Sequence, residues 1–571
     1  MQDREPYHPQ LAERPGLNVA RISATLRHGW SGLLLAAPSV VVVAVCCGLP
    51  LAWIVMVLAS NPGAWADLRL SGFRLELLAR TLGYNALAAA LATLMGLPAA
   101  FVLGRGRGLA SRLMWLIAPG ALLMPLLSFQ YGWLQAFRLA QPVLREVGIA
   151  FVPGGTPDTA RCIWILACWL WGIPACIIGL HLRRMDPDLQ LAASLHGATF
   201  RMTLRMLFGP LIASLAVVLI ISTQEFAVFE PTGISVVATE ARMVFSTGAF
   251  SALAPAAEGD HLSQSQRAAA AVMTAAPLLV VTGLLAAIAS STVRRLAVGE
   301  SLHCDDWPSI LNPRRRTITS AWTVVALSLG VPVVALIASL KSSSTPGQVL
   351  AELRPLALGS IGLGGLVAGL GFIIALSTSV LQSRWLLIVS VASFLLGGEL
   401  LAIALIRLTN DPGLEWARDS CVVPVMAYVG RFGFIAVIAG RSTWGATWRE
   451  YRMQAAVFGA GRLATSVRIV WPLAWPSLVA AAIAMGAFSL TEVGATATLV
   501  PQHPSVLTTQ LLVWAHARRS DQMILGSLTA LAAVVIPAGA ALVLMAIVRR
   551  RAVDRAVGSS PTEGDSPRID R

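Results

Sequence analysis

Four charged residues lie in or beside long apolar stretches of this sequence of 571 residues. They are Glu225, Glu399, Arg431 and Glu492. A charge at the centre of an apolar membrane segment costs about 2.5–3.5 kcal/mol, so it usually marks a polar route or a buried ion pair. We expect these four side chains to line a route for a polar solute. The alternative is structural: Glu399 and Arg431 pair with each other, and the other two lie at the outer interface.

No catalytic or metal-binding pattern accompanies these charges in the sequence. The eight histidines are scattered, without a His-Glu-x-x-His or paired-aspartate motif. The seven cysteines form no Cys-x-x-Cys pair. The sequence has no Gly-x-x-x-x-Gly-Lys-Ser/Thr loop for the phosphates of a nucleotide. We therefore predict no catalytic residue, no metal site and no cofactor in this chain, which makes an intramembrane enzyme the least favoured alternative.

The composition places these residues in a membrane. Hydrophobic residues make up 56% of the chain and charged residues 13%, whereas about a quarter of a soluble domain is charged. About 20 consecutive apolar residues cross a bilayer as one helix. The sequence predicts an all-α polytopic membrane protein with about twelve transmembrane helices. Their apolar windows are 33–59, 82–104, 113–137, 162–181, 208–226, 270–292, 320–340, 357–381, 385–406, 422–440, 473–491 and 523–548.

Basic residues indicate which side is cytoplasmic. The net charge is +14, and most arginines lie in short segments between the windows, such as 104–108, 182–185 and 313–316. With twelve spans, the side richer in basic residues also holds both termini, and the positive-inside rule assigns that side to the cytoplasm. The sequence lacks a basic groove with interleaved aromatic residues, so we expect contact with lipid and none with nucleic acid.

The predicted spans fall into two halves of six. Because each half has an even number of spans, both halves enter the membrane in the same direction, as in a parallel repeat of two six-helix units. The third window of each half carries a similar stretch, Pro-Gly-Ala-Leu-Leu at 119–123 and Gly-Gly-Glu-Leu-Leu at 397–401. The predicted divisions are a cytoplasmic tail at 1–29, a first half at 30–292, a cytoplasmic linker at 293–319, a second half at 320–550 and a disordered cytoplasmic tail at 551–571.

Close packing between helices is predicted in the eighth window. Gly365 and Gly369 form a Gly-x-x-x-Gly pair, which places two glycines on one face of a helix. Such a pair lets a neighbouring helix approach backbone to backbone. We therefore expect these two glycines to lie at a helix–helix contact.

A short polar segment interrupts each half between its fourth and fifth windows. In the first elbow (186–210), Gly197 precedes Pro210 by thirteen residues, and in the second elbow (447–472) Gly459 precedes Pro472 by the same number. Glycine permits the left-handed conformation that ends a helix. We predict two short helices joined at each glycine, with the proline beginning the next span. Such a pair is suited to docking into a partner's groove; the alternative is a helix lying on lipid headgroups.

The spacing within the elbows resembles the EAA loop of bacterial ABC-importer permeases. That loop reads Glu-Ala-Ala, three residues, glycine, nine residues, and Ile-x-Leu-Pro. Both copies in this chain keep the glycine and the proline and lack the glutamate. The second copy also lacks one alanine. The resemblance implies that the elbows dock ATPase subunits. The residues at the motif positions are Leu191, Ala192, Ala193, Gly197 and Pro210 in the first elbow and Met453, Gln454, Ala455, Gly459 and Pro472 in the second.

The chain from about residue 30 to residue 550 resembles fused permeases of the ferric-iron and thiamine type. The stretches 224–240, 397–413 and 490–516 add to this likeness. It implies an importer subunit in the bacterial cytoplasmic (inner) membrane, working with two copies of a separate ATP-binding cassette subunit and an extracytoplasmic solute-binding protein. Carboxylates near the outer mouth attract a cationic solute, which favours ferric iron; thiamine, an organophosphonate and a polyamine stay open.

A self-sufficient secondary transporter is the main alternative. Twelve spans in two parallel halves also describe the major facilitator group. That group carries a Gly-x-x-x-Asp-Arg-x-Gly-Arg-Arg pattern between its second and third spans, whereas this chain has an arginine-rich stretch without the aspartate at 104–112. The two elbows have no role in that group, so they favour the importer.

Overall fold

The chain is helical throughout the part that the structure describes. The computed structural model describes residues 30–68, 71–106, 108–146, 156–185, 195–196, 199–250, 263–298, 313–340, 346–381, 383–410, 413–443, 446–499, 505–517 and 519–558, and no β-strand occurs within these ranges. Ten helices in them are long and apolar enough to cross a membrane, and two further helix pairs meet this test jointly across a sharp bend. The prediction of an all-α polytopic membrane protein is confirmed.

Counting each bent pair as one span gives twelve spans, numbered in chain order. Spans 1 to 6 are Leu35–Ser60, Gly72–Arg105, Leu109–Leu123 with Leu126–Val143, Thr156–Arg183, Arg201–Thr223 and Gln264–Ser290. Spans 7 to 12 are Arg315–Ala338, Val349–Thr378, Arg384–Leu395 with Gly397–Thr409, Val422–Ser442, Ser466–Thr491 and Asp521–Ala541. The shorter helices between them are Pro62–Leu68, Glu230–Thr232, Val237–Thr247, Glu415–Arg418, Ala446–Val457, Arg462–Thr465, Gly494–Leu499 and Leu507–His516.

Spans 3 and 9, the third span of each half, are broken. The two arms of span 3 meet at 95° and those of span 9 at 100°. In span 3, Met124 is extended (φ −72°, ψ 123°) because the ring of Pro125 disfavours a helical conformation at the residue before it. In span 9, Gly397 has a φ of +79°, which a residue with a Cβ rarely adopts. Different local chemistry therefore breaks the corresponding helix in each half.

Three prolines follow a widened turn of helix. Pro50, Pro332 and Pro472 each lie two residues after a five-residue π-helical turn. A proline has no N–H for the carbonyl four residues before it, and its ring collides with that carbonyl, so the preceding turn widens. Pro50 in span 1 and Pro332 in span 7 have corresponding places in the two halves, as the predicted repeat requires.

The same helix pairs pack in both halves. Span 2 packs against spans 4 and 5, and span 8 packs against spans 10 and 11. Gly179 in span 4 and Gly440 in span 10 lie at these crossings. A Cβ on Gly179 would lie 2.8 Å from the Leu103 Cβ, and one on Gly440 would lie 1.9 Å from the Thr378 Oγ1. This common packing supports the repeat, and the division into residues 30–292 and 320–550 stays a prediction.

The glycines that bring span 8 close to span 11 are not the predicted pair. Gly365 and Gly369 are exposed, and a Cβ on either would meet no atom within 4 Å. Gly364 makes the contact instead, because a Cβ on Gly486 would lie 2.6 Å from the Gly364 carbonyl oxygen. The prediction identified the right helix and the wrong face, since consecutive residues of a helix point about 100° apart.

The first span of each half, span 1 or span 7, packs against helices of the other half. Span 1 packs against spans 8, 9 and 10, and span 7 packs against spans 2 and 3. Gly430 in span 10 needs its small size here, because a Cβ on it would lie 2.7 Å from the Cys46 carbonyl oxygen in span 1. A Cβ on Gly132 in span 3 would lie 2.8 Å from Pro332 in span 7. Each half therefore packs against the first helix of the other.

Candidate functional site

Arg431 lies near the middle of span 10, about 15 Å from either end of this 21-residue helix. Its side chain is 3% exposed. The Nη2 atom lies 3.6 Å from Glu225 Oε1, and the Nε atom lies 3.4 Å from Glu492 Oε2. Glu225 follows span 5 and Glu492 follows span 11, which are corresponding helices of the two halves. One guanidinium therefore contacts a carboxylate from each half.

The structure overturns the predicted pairing of Glu399 with Arg431. Among the described residues, Arg431 pairs with Glu225 and Glu492 and not with Glu399. Glu492 is buried beside Arg431, and the Glu225 side chain is 11% exposed. The alternative position of Glu225 and Glu492 at the outer interface stays a prediction.

The break in span 9 explains the need for an arginine at this position. A helix that stops at Leu395 leaves its last carbonyl groups without donors from its own backbone. Arg431 donates to the Phe394 carbonyl at 3.4 Å and lies 5.3 Å from the centre of the Phe394 ring. The Gln224 amide donates to the Leu395 carbonyl at 3.4 Å. Arg431 also donates to the amide oxygen of Gln224, which fixes both side chains against the break.

The corresponding break in span 3 is satisfied without a charge. Trp169 in span 4 donates from its indole Nε1 to the Met124 carbonyl at 3.2 Å. An indole satisfies one acceptor and brings no charge that needs a counter-ion. The first half therefore has no equivalent of the Arg431 ion pairs at its own break.

Glu492 is held against the second arm of span 9. Its Oε1 atom accepts the backbone N–H of Ala495 at 3.1 Å. A Cβ on Gly398 would lie 2.2 Å from the same oxygen and 2.7 Å from the Ala495 nitrogen. Only a glycine lets the start of this arm approach the carboxylate so closely.

Glu399 lies one residue further along span 9 and is 5% exposed. Its Oε2 atom accepts a hydrogen bond from the Thr498 hydroxyl. Its Oε1 atom has no hydrogen-bond partner among the described residues. Glu399 interacts electrostatically with Arg242, Glu230 and Glu492. The structure thus brings Glu399 near the Arg431 ion pairs without pairing it to Arg431.

Beyond Glu399 lies a half-buried ion pair. Arg242, in the helix Val237–Thr247, lies 3.1 Å from Glu230 Oε1 and 4.9 Å from the centre of the Phe226 ring. The side chains of Arg242 and Glu230 are 25% and 31% exposed. Charged groups therefore run from the buried Arg431 to this more accessible pair. We call them the charge row: Glu225, Arg431, Glu492, Glu399, Arg242 and Glu230.

Sequence reasoning missed Gln224, Glu230, Arg242 and Thr498. The sequence does contain a signal for Gln224. The pair Thr223-Gln224 stands at the end of span 5, and the similar pair Thr491-Glu492 stands at the end of span 11. Both threonines donate to the carbonyl three residues before them, at 3.0 and 2.9 Å. This match makes Gln224, and not Glu225, the counterpart of Glu492.

The second elbow has the predicted helix–turn–helix form. The helix Ala446–Val457 precedes Gly459, whose φ of +75° is the left-handed conformation expected of it. Met453 and Gln454 are exposed, and Ala455 is buried. Val457 and Phe458 at the turn are 85% and 89% exposed. Large apolar side chains are therefore presented at the turn.

The second elbow is tied to the bundle through Ser379, which follows span 8. Arg452 in the elbow donates to the Ser379 carbonyl at 3.2 Å, and the Trp471 indole donates to the Ser379 hydroxyl at 2.9 Å. Pro472 is the second residue of the α-helix Trp471–Thr491, as predicted, although helical structure begins before it at Arg462. Elbow and span are thus one connected unit.

The first elbow is described only in part, since Leu191, Ala192, Ala193 and Gly197 lie outside the described residues. The prediction that Pro210 begins span 5 is wrong, because Pro210 lies inside the continuous helix Thr199–Thr223. A proline there leaves the Met206 carbonyl without its helical donor. The His181 ring of span 4 lies beside that carbonyl, and the helix continues through the proline.

Among the described residues, no three His, Cys, Asp or Glu side chains are grouped so that they could hold a metal ion. No known family model, curated protein or solved structure matches the chain. Function therefore has to be argued from the charge row, the elbows and the helices that connect them.

Proposed function

We propose that this polytopic membrane protein is the permease subunit of an ATP-driven ABC importer, passing a small solute between its halves by alternating access. The observation that carries the proposal is the connection between the second elbow and the charge row. Helical structure runs from Arg462 through the π turn Ser466–Val470 to Thr491, and Glu492 follows directly. A partner that moves the elbow would therefore move a carboxylate of the charge row.

The second elbow offers a surface that suits an ATPase subunit. Met453 is 55% exposed, and Val457 and Phe458 are more exposed still. Large apolar groups presented together usually mark a binding surface or contact with lipid. The glycine and proline spacing that resembles an EAA loop favours the ATPase. Two elbows at corresponding places suit two ATP-binding cassette subunits.

Spans 5 and 11 would transmit movement of these subunits to the charge row. Each span begins at an elbow, and each is followed by a glutamate that contacts Arg431. Separating the far ends of the two spans would lengthen one of the two ion pairs. A bistable contact of this kind suits a permease that alternates between two openings.

The charge row supplies the polar path of the proposed importer. It runs from the Arg431 ion pairs to the half-buried pair of Arg242 and Glu230. Its glutamates outnumber its arginines, which favours a cationic solute, with ferric iron first among the candidates. A solute-binding protein would deliver the solute at the extracytoplasmic end. With both termini cytoplasmic, this arrangement fits the bacterial cytoplasmic (inner) membrane.

The proposal is tested by purifying the chain together with an ATP-binding cassette subunit found in a neighbouring reading frame. We expect the complex to hydrolyse ATP and the chain alone to show background activity only. Phe458→Asp should abolish co-purification, because a charge would have to be buried in an apolar contact. The matched control is Trp416→Asp, which changes an aromatic residue that is 64% exposed and lies between spans 9 and 10.

The same experiment separates the importer from a secondary transporter. Solute uptake by the chain alone, driven by an ion gradient without ATP, would establish the secondary transporter. Robust ATPase activity of the chain without a partner would contradict both assignments. Retained co-purification of the Phe458→Asp variant would remove the second elbow from the interface.

A further inference from the structure

A small cavity lies beside the break in span 9. Its volume is about 40 Å³, and it is bounded by the end of span 5, the helix Val237–Thr247, span 6 and both arms of span 9. Apolar side chains form most of its wall. The polar side chains that line it are Thr223, Gln224, Thr282 and Glu399. A single water needs at least about 10–15 Å³, so the cavity has room for a small solute or a few waters.

Glu399 brings a carboxyl oxygen without a hydrogen-bond partner among the described residues to this cavity. One carboxylate oxygen accepts from Thr498, whereas the other has no hydrogen-bond partner among the described residues. The residue is 95% buried, since 5% of its surface is exposed. A buried carboxylate is costly unless it is paired, and an unpaired oxygen at the wall of a cavity is open to a ligand inside it.

The surrounding charges determine whether the cavity attracts a cation or an anion. The charge row contains the two arginines Arg242 and Arg431 and four glutamates. Both arginines are already engaged, Arg242 with Glu230 and Arg431 with Glu225 and Glu492. Fully ionised, the row has two negative charges in excess, so a cation in the cavity would be attracted and an anion repelled.

Two hydroxyl groups add neutral oxygen atoms to the wall of the cavity. Thr223 donates its hydroxyl hydrogen to the Ile220 carbonyl at 3.0 Å, and Thr282 donates to the Leu279 carbonyl at 3.1 Å. Because both hydrogens are used within their own helices, the oxygen lone pairs stay available as acceptors. Carboxylate and hydroxyl oxygens suit hard cations and ammonium groups, whereas soft metals prefer sulfur ligands.

We propose that the Glu399 cavity is a binding site for one small monovalent cation, either an alkali-type ion or the ammonium group of a small solute. Glu399 supplies the charge, and Thr223 and Thr282 supply neutral oxygens. A quaternary ammonium ion has no N–H to donate to these oxygens, so it suits the site less well than a primary ammonium group. This site does not depend on the proposed ATPase partnership, so either assignment can fail while the other stands.

The test is calorimetric titration of the full chain in lipid nanodiscs, in a buffer whose only cation is tetramethylammonium. Thallium(I) nitrate probes an alkali-type ion, and methylammonium nitrate probes an ammonium group. We expect saturable binding at one site by at least one probe, and competition between them if both bind. Glu399→Gln should weaken binding at least about tenfold, because it removes the only charged ligand. Binding by one probe alone identifies which of the two cation sources the site accepts.

Two kinds of control make the result decisive. Glu76→Gln changes an exposed glutamate that pairs with Arg80 and should leave binding unchanged. If Glu399→Gln does not give a monodisperse protein, Thr282→Val should weaken binding and Glu399→Asp should retain it. Equal affinity of the wild type and Glu399→Gln, or the absence of saturable binding by both probes, would overturn the proposal.

Discussion

Arg431 and Trp169 donate to the same kind of acceptor in the two halves. Each lies on the fourth span of its half, and each donates to a backbone carbonyl at the break of the third span, Phe394 for Arg431 and Met124 for Trp169. The neutral indole leaves the first half without a charge at this point, whereas the guanidinium in the second half draws in Glu225 and Glu492. The repeat is therefore asymmetric at its centre.

Removing the guanidinium of Arg431 should destabilise the folded protein. Arg431→Met leaves two buried carboxylates beside each other, so the free energy of unfolding should fall by about 3–5 kcal/mol. Thermal unfolding of the purified chain in detergent measures the change. Arg80→Met is the matched control, because its partner Glu76 is exposed and such pairs contribute about 0–1 kcal/mol. Equal loss in both variants would mean that Arg431 has no special structural role.

Neutralising the two carboxylates should affect transport more than assembly. We expect Glu225→Gln combined with Glu492→Gln to lower the uptake of radiolabelled ferric iron while the ATPase subunit still co-purifies. The physical reason is that the charges at the ends of spans 5 and 11 are lost while the elbows are unchanged. Unchanged uptake kinetics in this variant, with normal uptake by Glu76→Gln, would return both residues to a purely structural role.

The close approach of span 9 to Glu492 can be tested with one methyl group. A Cβ on Gly398 would lie 2.2 Å from Glu492 Oε1, so Gly398→Ala should cost about 1–3 kcal/mol of unfolding free energy through overpacking. Gly362→Ala is the control, because a Cβ on Gly362 meets no atom within 4 Å; in a helix it should be neutral or stabilising by up to about 1 kcal/mol. Thermal unfolding of both variants distinguishes packing from a general effect of losing glycine.

Gly459 and Gly461, at the turn of the second elbow, allow a matched test of the docking role. Gly459 has a φ of +75°, so Gly459→Val should strain the turn by about 1–2 kcal/mol or more and misdirect the helix that follows it. We expect reduced recovery of the ATPase subunit with normal insertion into the membrane. Gly461→Val places the same side chain two residues later, where a Cβ meets no atom within 4 Å. Full recovery of the ATPase with the Gly459→Val variant would contradict the docking role.

A double-mutant cycle tests the link between Pro210 and His181. His181→Phe removes the polar ring beside the Met206 carbonyl, and if that ring supplies the missing donor the free energy of unfolding should fall by about 0.5–1.5 kcal/mol. Pro210→Ala restores a backbone N–H for the same carbonyl. In that background His181→Phe should therefore cost less, and the difference is the coupling energy between the two positions. Additive effects would show that the carbonyl does not depend on His181.

The sequence predicted those features that depend on local pattern. Apolar windows identified the spans because lipid demands about 20 apolar residues in a row, and Gly459 identified the elbow because few other residues adopt its conformation. The partner of Arg431 could not be predicted in the same way. It depends on where span 9 breaks, and that break exposes carbonyl groups whose nearest donors are far away in sequence, at Gln224 and Arg431.

Pro210 and Gly365 are two further positions where the local sequence pattern did not determine the structure. A proline is tolerated inside a helix as well as at its start, and at Pro210 the helix continues with a histidine of another span beside the carbonyl that the proline leaves free. A Gly-x-x-x-Gly pair predicts a close contact without saying which neighbouring face makes it. In both cases tertiary packing decided between two outcomes that the local sequence allows.

Because span 1 packs against the second half, it is synthesised before the helices that contact it there. Synthesis at the ribosome is vectorial, so Cys46 enters the membrane long before Gly430, its neighbour in the finished protein, has been translated. Until then the nascent span 1 lacks its partners in spans 8, 9 and 10, although span 6 of its own half already packs against it. We therefore expect a truncated product that ends in the central linker to be less stable in the membrane than the full chain.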